Sequence, residues 1–219
     1  MRSANNDRKI ASPDQLARSF FSRNLKKLFK HLLLAFSAAL FAFNAVAAPV
    51  EIHGVKLEDT AQVHGAQLQL NGAGTRYKAI FKVYVAGLYL GKKASTPEEV
   101  VNQSGPKRLV VTMLRTIDSK ELGKLLTRGV EDNMGKAAMS KLIPGLIRMG
   151  EIFAAQKPLV QGDQFMIDWV PGAGTVITVK DVVQGEPFKE PEFFKALMMI
   201  WLGSSPADYK LKDALLGSK

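Results

Sequence analysis

Residues 71–90, NGAGTRYKAIFKVYVAGLYL, place one arginine, two lysines and three tyrosines in a stretch otherwise built from β-branched and aromatic strand formers. Arg76 is the residue there with the most chemistry to offer. A guanidinium presents a planar fork of donors that matches a carboxylate, and the same fork can steady a developing oxyanion. It can equally be a solvated strand-end residue, so the rest of the chain has to decide.

Other chemistries find little support. Gly72-Ala73-Gly74 lacks the lysine and the serine or threonine of a phosphate loop, and a strand pattern follows it where a nucleotide loop needs a helix. No Gly-x-Ser-x-Gly elbow occurs after residue 47, and no carboxylate pair stands out. The chain has no cysteine, which removes disulfides, thiol catalysis and thiolate metal sites. His53 and His64 are the remaining imidazoles beyond the leader, and their spacing fits no compact zinc pattern. Neither a metal nor a cofactor is expected.

The first 47 residues read as a secretory signal. A basic run (Arg23, Lys26, Lys27, Lys30) precedes the apolar segment Leu32 to Phe43, and Asn44-Ala45-Val46-Ala47 puts small residues at −3 and −1 of a cleavage after Ala47. The apolar segment reaches the roughly 20 residues of a spanning helix only if Asn44 and the small residues up to Val50 are counted, which leaves an uncleaved anchor as the alternative to cleavage. The product would be a secreted, periplasmic chain of residues 48–219, touching membrane only through its leader. Of the formal net charge of +10, six charges leave with the leader and about four remain. No basic stripe in the mature part suggests nucleic acid.

Residues 48–219 show no repeat and no long linker, so one domain is expected. Residues 50–57 and 66–70 alternate as strands, Asn71 to Gly74 read as a turn, and strands follow at 80–90 and 108–115. Thr96-Pro97-Glu98-Glu99 and Asp118-Ser119-Lys120-Glu121 are helix-start boxes. A second long helix runs from Ala137 to Gln156 with Pro144 inside, a hairpin turns at Pro171 to Gly174, and Pro191 opens a helix apolar nearly all round. This order is α+β, a largely antiparallel sheet with helices gathered on one face.

The motifs Gly-x-Gly-x-Arg, Lys82-Val83-Tyr84 and Gly87-Leu88-Tyr89-Leu90 resemble the chalcone isomerase family, in particular its secreted bacterial branch. RLVVTMLRTIDSKEL, WVPGAGTVITV and ALMMIWLGSSPADYKLKDALLG extend the likeness over residues 50–217. The resemblance implies a chalcone isomerase-like open β-sandwich with a cleft between sheet and helices. It also implies one of two activities: cofactor-free intramolecular closure of a chalcone-like enone, or binding of a fatty acid whose carboxylate is held by an arginine and a tyrosine. Arg76 and Tyr84 fall at those two positions, and Thr112 and Arg115 sit near the junction where the family opens its pocket. The helix positions that carry tyrosine and asparagine in the plant enzymes correspond to about Leu122 and Gly129, whose side chains cannot donate or accept. Binding of a small apolar acid is therefore favoured over an enone isomerase. A cell-envelope interaction protein with a vestigial cleft stays open as a third reading.

One geometric condition attaches to the pair. Arg76 and Tyr84 share strand parity, but eight residues of straight strand span roughly 26 Å at about 3.3 Å each. Sharing one carboxylate requires a tight turn near Lys78-Ala79 or a twisted edge.

Overall fold

Short-period alternation and closely spaced turns make a sheet whose strands pair in the order in which they are written. The computed structural model describes residues 49–218, and the leader with its expected cleavage point lies outside them. The strands are β1 (Val50–Ile52), β2 (Val55–Leu57), β3 (Thr60–Val63), β4 (Ala66–Lys78), β5 (Phe81–Leu90), β6 (Lys107–Met113), β7 (Gln164–Val170), β8 (Gly174–Val179) and β9 (Val182–Val183). The helices are α1 (Pro97–Asn102), α2 (Ser119–Glu131), α3 (Lys136–Ala154), α4 (Pro191–Leu202) and α5 (Tyr209–Leu215). Strands β3 to β9 form one antiparallel sheet in chain order, and β1 with β2 forms a separate hairpin. The α+β expectation holds.

Parity along β5 sorts the core into two layers. Tyr84, Ala86, Leu88 and Leu90 face the helices, while Val85 and Tyr89 face Leu57, Leu68 and Leu70 on the other side. The central strand is thus covered on both faces. α4 is the innermost helix: Phe193, Phe194, Leu197, Met198, Ile200 and Trp201 are all buried, each contributing on the order of 1.5–3 kcal/mol. The caps follow the residues that announce them. Thr96 and Glu99 complete a reciprocal box at α1, whereas at α2 only the Asp118 half forms, its Oδ1 accepting from Glu121 N–H at 2.9 Å.

Two sequence expectations are corrected. Residues 50–57 are a hairpin and not one strand, because His53 and Gly54 take φ of 52° and 79° and reverse the chain. His64 and Gly65 do the same at the next reversal, so the two imidazoles belong to separate turns. Asn71 to Gly74 are not a turn at all but the middle of β4. The register shifts between Leu70 and Gly72, a bulge that leaves Asn71 out of the ladder. Its buried carboxamide donates to the Ala94 and Leu215 carbonyls at 2.9 and 2.7 Å and accepts from Ala94 N–H at 2.8 Å. The glycines are there because α5 lies directly on the strand: a Cβ at Gly72 would sit 2.0 Å from the Ala214 carbonyl oxygen, and one at Gly74 2.7 Å from Ala214 Cβ.

Gly72→Ala should therefore force two backbones apart. The expected cost is about 2–3 kcal/mol, the upper part of the range for overpacking, read as a lower midpoint in chemical denaturation. Gly91→Ala, which meets nothing within 4 Å, should change stability by less than about 0.5 kcal/mol.

Candidate functional site

The reversal that the Arg76–Tyr84 pair requires is the two-residue turn Ala79-Ile80, closed by the partners Lys78 and Phe81. Ala79 has φ of 53°, the left-handed conformation that lets so short a turn follow the strand twist. The turn alone would set Arg76 opposite Val83; a register shift between Arg76 and Tyr77 leaves Val83 out of the ladder and makes Arg76 and Tyr84 direct cross-strand partners. The guanidinium carbon lies 5.7 Å from the Tyr84 ring centroid, over its face.

Tyr84 is 5% exposed, and its hydroxyl accepts a hydrogen bond from Trp201 Nε1 at 2.8 Å. Burial pushes the phenol from 10.0 up to about 12, with Arg76 and the Trp201 hydrogen bond pulling the other way and Asp208 adding slightly to the rise. The hydroxyl is therefore neutral at physiological pH and keeps its proton. Trp201 occupies it as an acceptor, so the proton is left to be donated elsewhere. Among the described residues Arg76 makes no ion pair. Two donors of complementary kind, one charged and one neutral, line the same slot, neither with an acceptor among the described residues.

Two adjoining hollows surround that point. The inner slot, about 40 Å³, is floored by Tyr84 and Trp201 and walled by Leu122, Leu126, Phe165 and Ile200. The outer chamber, about 300 Å³, is bordered by Lys78, Phe81, Arg115, Asp118 and Glu121. Arg76, Val83, Ile117 and Leu125 line both, so Arg76 stands at the boundary between a cationic mouth and an apolar interior. A slot of that size holds about one water, whose share of liquid volume is ~30 Å³. The chamber is at the lower end of the roughly 300–1,000 Å³ of small-molecule sites. What closes the slot is the fit of α2 on α4: a Cβ at Gly129 would lie 2.9 Å from Ile200 Cγ2.

Of the four residues expected at the site, the structure brings three together. Arg76 and Tyr84 face each other, and Arg115 reaches the outer chamber with its guanidinium carbon 5.1 Å from the Phe81 ring centroid. Thr112 is placed elsewhere: it shares parity with Val110 on the face of the sheet away from the helices, and its Oγ1 accepts from Gln164 Nε2 at 2.9 Å. Leu122 lines the slot, and Gly129 serves helix packing. Met113, Met149 and Met198 are core residues, and the slot is walled by leucine, isoleucine, valine and aromatic side chains. Trp201 and Lys78 were not singled out for the site by sequence. The available signal for Trp201 was its indole N–H, which has to find an acceptor when the helix carrying it is buried nearly all round.

A family profile described as chalcone isomerase-like matches residues 49–217. Among solved structures, a fatty-acid binding protein of Arabidopsis thaliana superposes with a TM-score of 0.61 at 14% identity, covering 77% of this chain and 96% of its own. None of the curated proteins matches the chain.

Tyr84→Phe should leave the Trp201 N–H buried and unsatisfied, at a cost of about 1–3 kcal/mol in chemical denaturation. The wild type should in addition lose stability as the pH rises from 10.0 towards about 12, because the unfolded phenol gives up its proton first and the folded one holds it. Two units correspond to about 3 kcal/mol, fully present below pH 10.0. A stability profile over that window should be shallower for Tyr84→Phe than for the wild type.

Proposed function

We propose that this chain, which belongs to the chalcone isomerase-like family, binds an apolar carboxylic acid such as a fatty acid, with its head between Arg76 and Tyr84. The observation that carries this reading is the convergence of a charged donor fork and a neutral hydroxyl, both without an acceptor among the described residues, at the edge of an apolar slot. A carboxylate supplies two oxygens with lone pairs for both donors. Hydrogen bonds to charged groups contribute about 1.5–3 kcal/mol each, enough to select an acid over an alcohol or ester of equal chain length. The fatty-acid binding activity of the Arabidopsis relative by fold supports the same ligand class.

The tail takes the outer chamber first. Extending it into the 40 Å³ slot requires α2 to lift from α4, so a long chain binds with movement of residues 119–131. A chamber of about 300 Å³ beside two acceptor-less donors speaks against a vestigial cleft. An enone isomerase would use the same donors on a developing oxyanion. Against it, the inner slot offers no side chain suited to general-base work: Leu122 is aliphatic, and a phenol near 12 holds its proton at neutral pH. In this reading the leader directs export, and the ligand is met in the periplasm.

Mass spectrometry of the organic extract should find one class of apolar acid with the wild type and a 10- to 100-fold depletion with Arg76→Ala, as expected for loss of a charged hydrogen-bond donor. Equal ligand content in both proteins would overturn the head-group assignment, and chalcone turnover above the uncatalysed rate would favour the isomerase. N-terminal sequencing of the exported protein should begin at Ala48.

A further inference from the structure

The tip of the β4–β5 hairpin is not explained by packing. Ile80 is 85% exposed, Phe81 55% and Tyr77 39%, in a turn where asparagine or glycine would be both more soluble and less strained than Ala79 at φ 53°. Lys78 and Lys82 flank these residues, with Arg76 and Arg115 behind them. None of the four cations forms an ion pair among the described residues. The nearby carboxylates are engaged or set back: Asp118 caps α2, Asp208 accepts from Tyr77 N–H at 2.9 Å and caps α5, and Glu121 lies across the chamber 4.0 Å from Lys124. Lys82 Nζ lies 3.2 Å from His53 Nδ1, a neighbour that leaves its charge unneutralised. A protruding apolar and aromatic point within a collar of cations that have no carboxylate partner among the described residues matches the layering of a lipid interface, acyl boundary below and phosphates above.

We propose that this tip seats on an anionic phospholipid surface, with Ile80 and Phe81 entering the headgroup–acyl boundary and Lys78, Lys82 and Arg115 meeting lipid phosphates. The contact goes beyond the membrane contact expected of the leader. It stands on exposure and charge, and would hold whatever the cavity binds. Its consequence for the cavity is positional: Arg76, Lys78 and Phe81 border the outer chamber, so seating the tip brings the chamber mouth to the bilayer, where an apolar ligand can pass without crossing water.

The absence of cysteine makes the test direct, since Ile80→Cys in the full chain takes a single environment-sensitive fluorophore. Lys92→Cys, exposed just past the other end of β5 and more than about 30 Å away at ~3.3 Å per residue, is the control for lipid binding by the leader or any other surface. With vesicles containing phosphatidylglycerol, the position-80 label should shift to the blue and brighten while the position-92 label does not, and the shift should fade at high salt. Adding Lys82→Glu should weaken partitioning roughly 25-fold, about 5-fold per unit of charge. No shift at position 80, an equal shift at both positions, or equal binding to purely zwitterionic vesicles would overturn the proposal. None of these outcomes bears on the ligand content of Arg76→Ala, so the two readings fail separately.

Discussion

A hydroxyl and an indole N–H taken out of water have to satisfy each other, and the Tyr84–Trp201 hydrogen bond is where the sheet and its innermost helix do so. An unpaired group at that depth would cost about 1–3 kcal/mol, which ties the position of α4 to one residue of β5. From that tie the neighbouring contacts follow. Ile200, one residue before Trp201, receives α2 at Gly129, and Leu122 and Leu126 on α2 then close over the tyrosine. The slot is narrow because three elements are fixed through one polar contact.

The same contact divides the donors of the site. Trp201 uses an acceptor lone pair of the Tyr84 hydroxyl and leaves its proton, while desolvation keeps that proton in place. Arg76 lies over the ring, where the face of the aromatic system attracts its charge without using its N–H groups. A cation held by a π face and a hydroxyl held by an indole are both positioned, yet both still have hydrogen bonds to give. Positioned donors with unspent capacity cost little reorganisation when an anion arrives.

Much of this was legible in the chain. The helix starts at Thr96 and Asp118, the hairpin at Pro171 to Gly174 and the buried helix after Pro191 stand where their residues placed them. The glycines at 72 and 74 show why local reading has a limit: they signal a turn by propensity, but their purpose is to admit α5, which is written some 140 residues later. Thr112 illustrates the same limit at the scale of one residue. Lying near the right junction says nothing about which face of β6 a side chain occupies, and pairing with β5 and β7 turned it from the cleft.

Composition and order determine that this is an α+β chain without thiol chemistry. The meeting of Arg76 and Tyr84 depended on the Ala79-Ile80 reversal, which no glycine or proline announces, and on the register shift after Arg76, since the turn alone would set Arg76 opposite Val83. Tertiary structure also decided the partner of Tyr84, 117 residues away in sequence, and the near closure of the slot behind it. The physical reason is common to both. Residue types limit which groups can donate, accept or be buried, whereas the distances between them are set by packing of segments far apart in the chain, and a site for a carboxylate is a matter of distance.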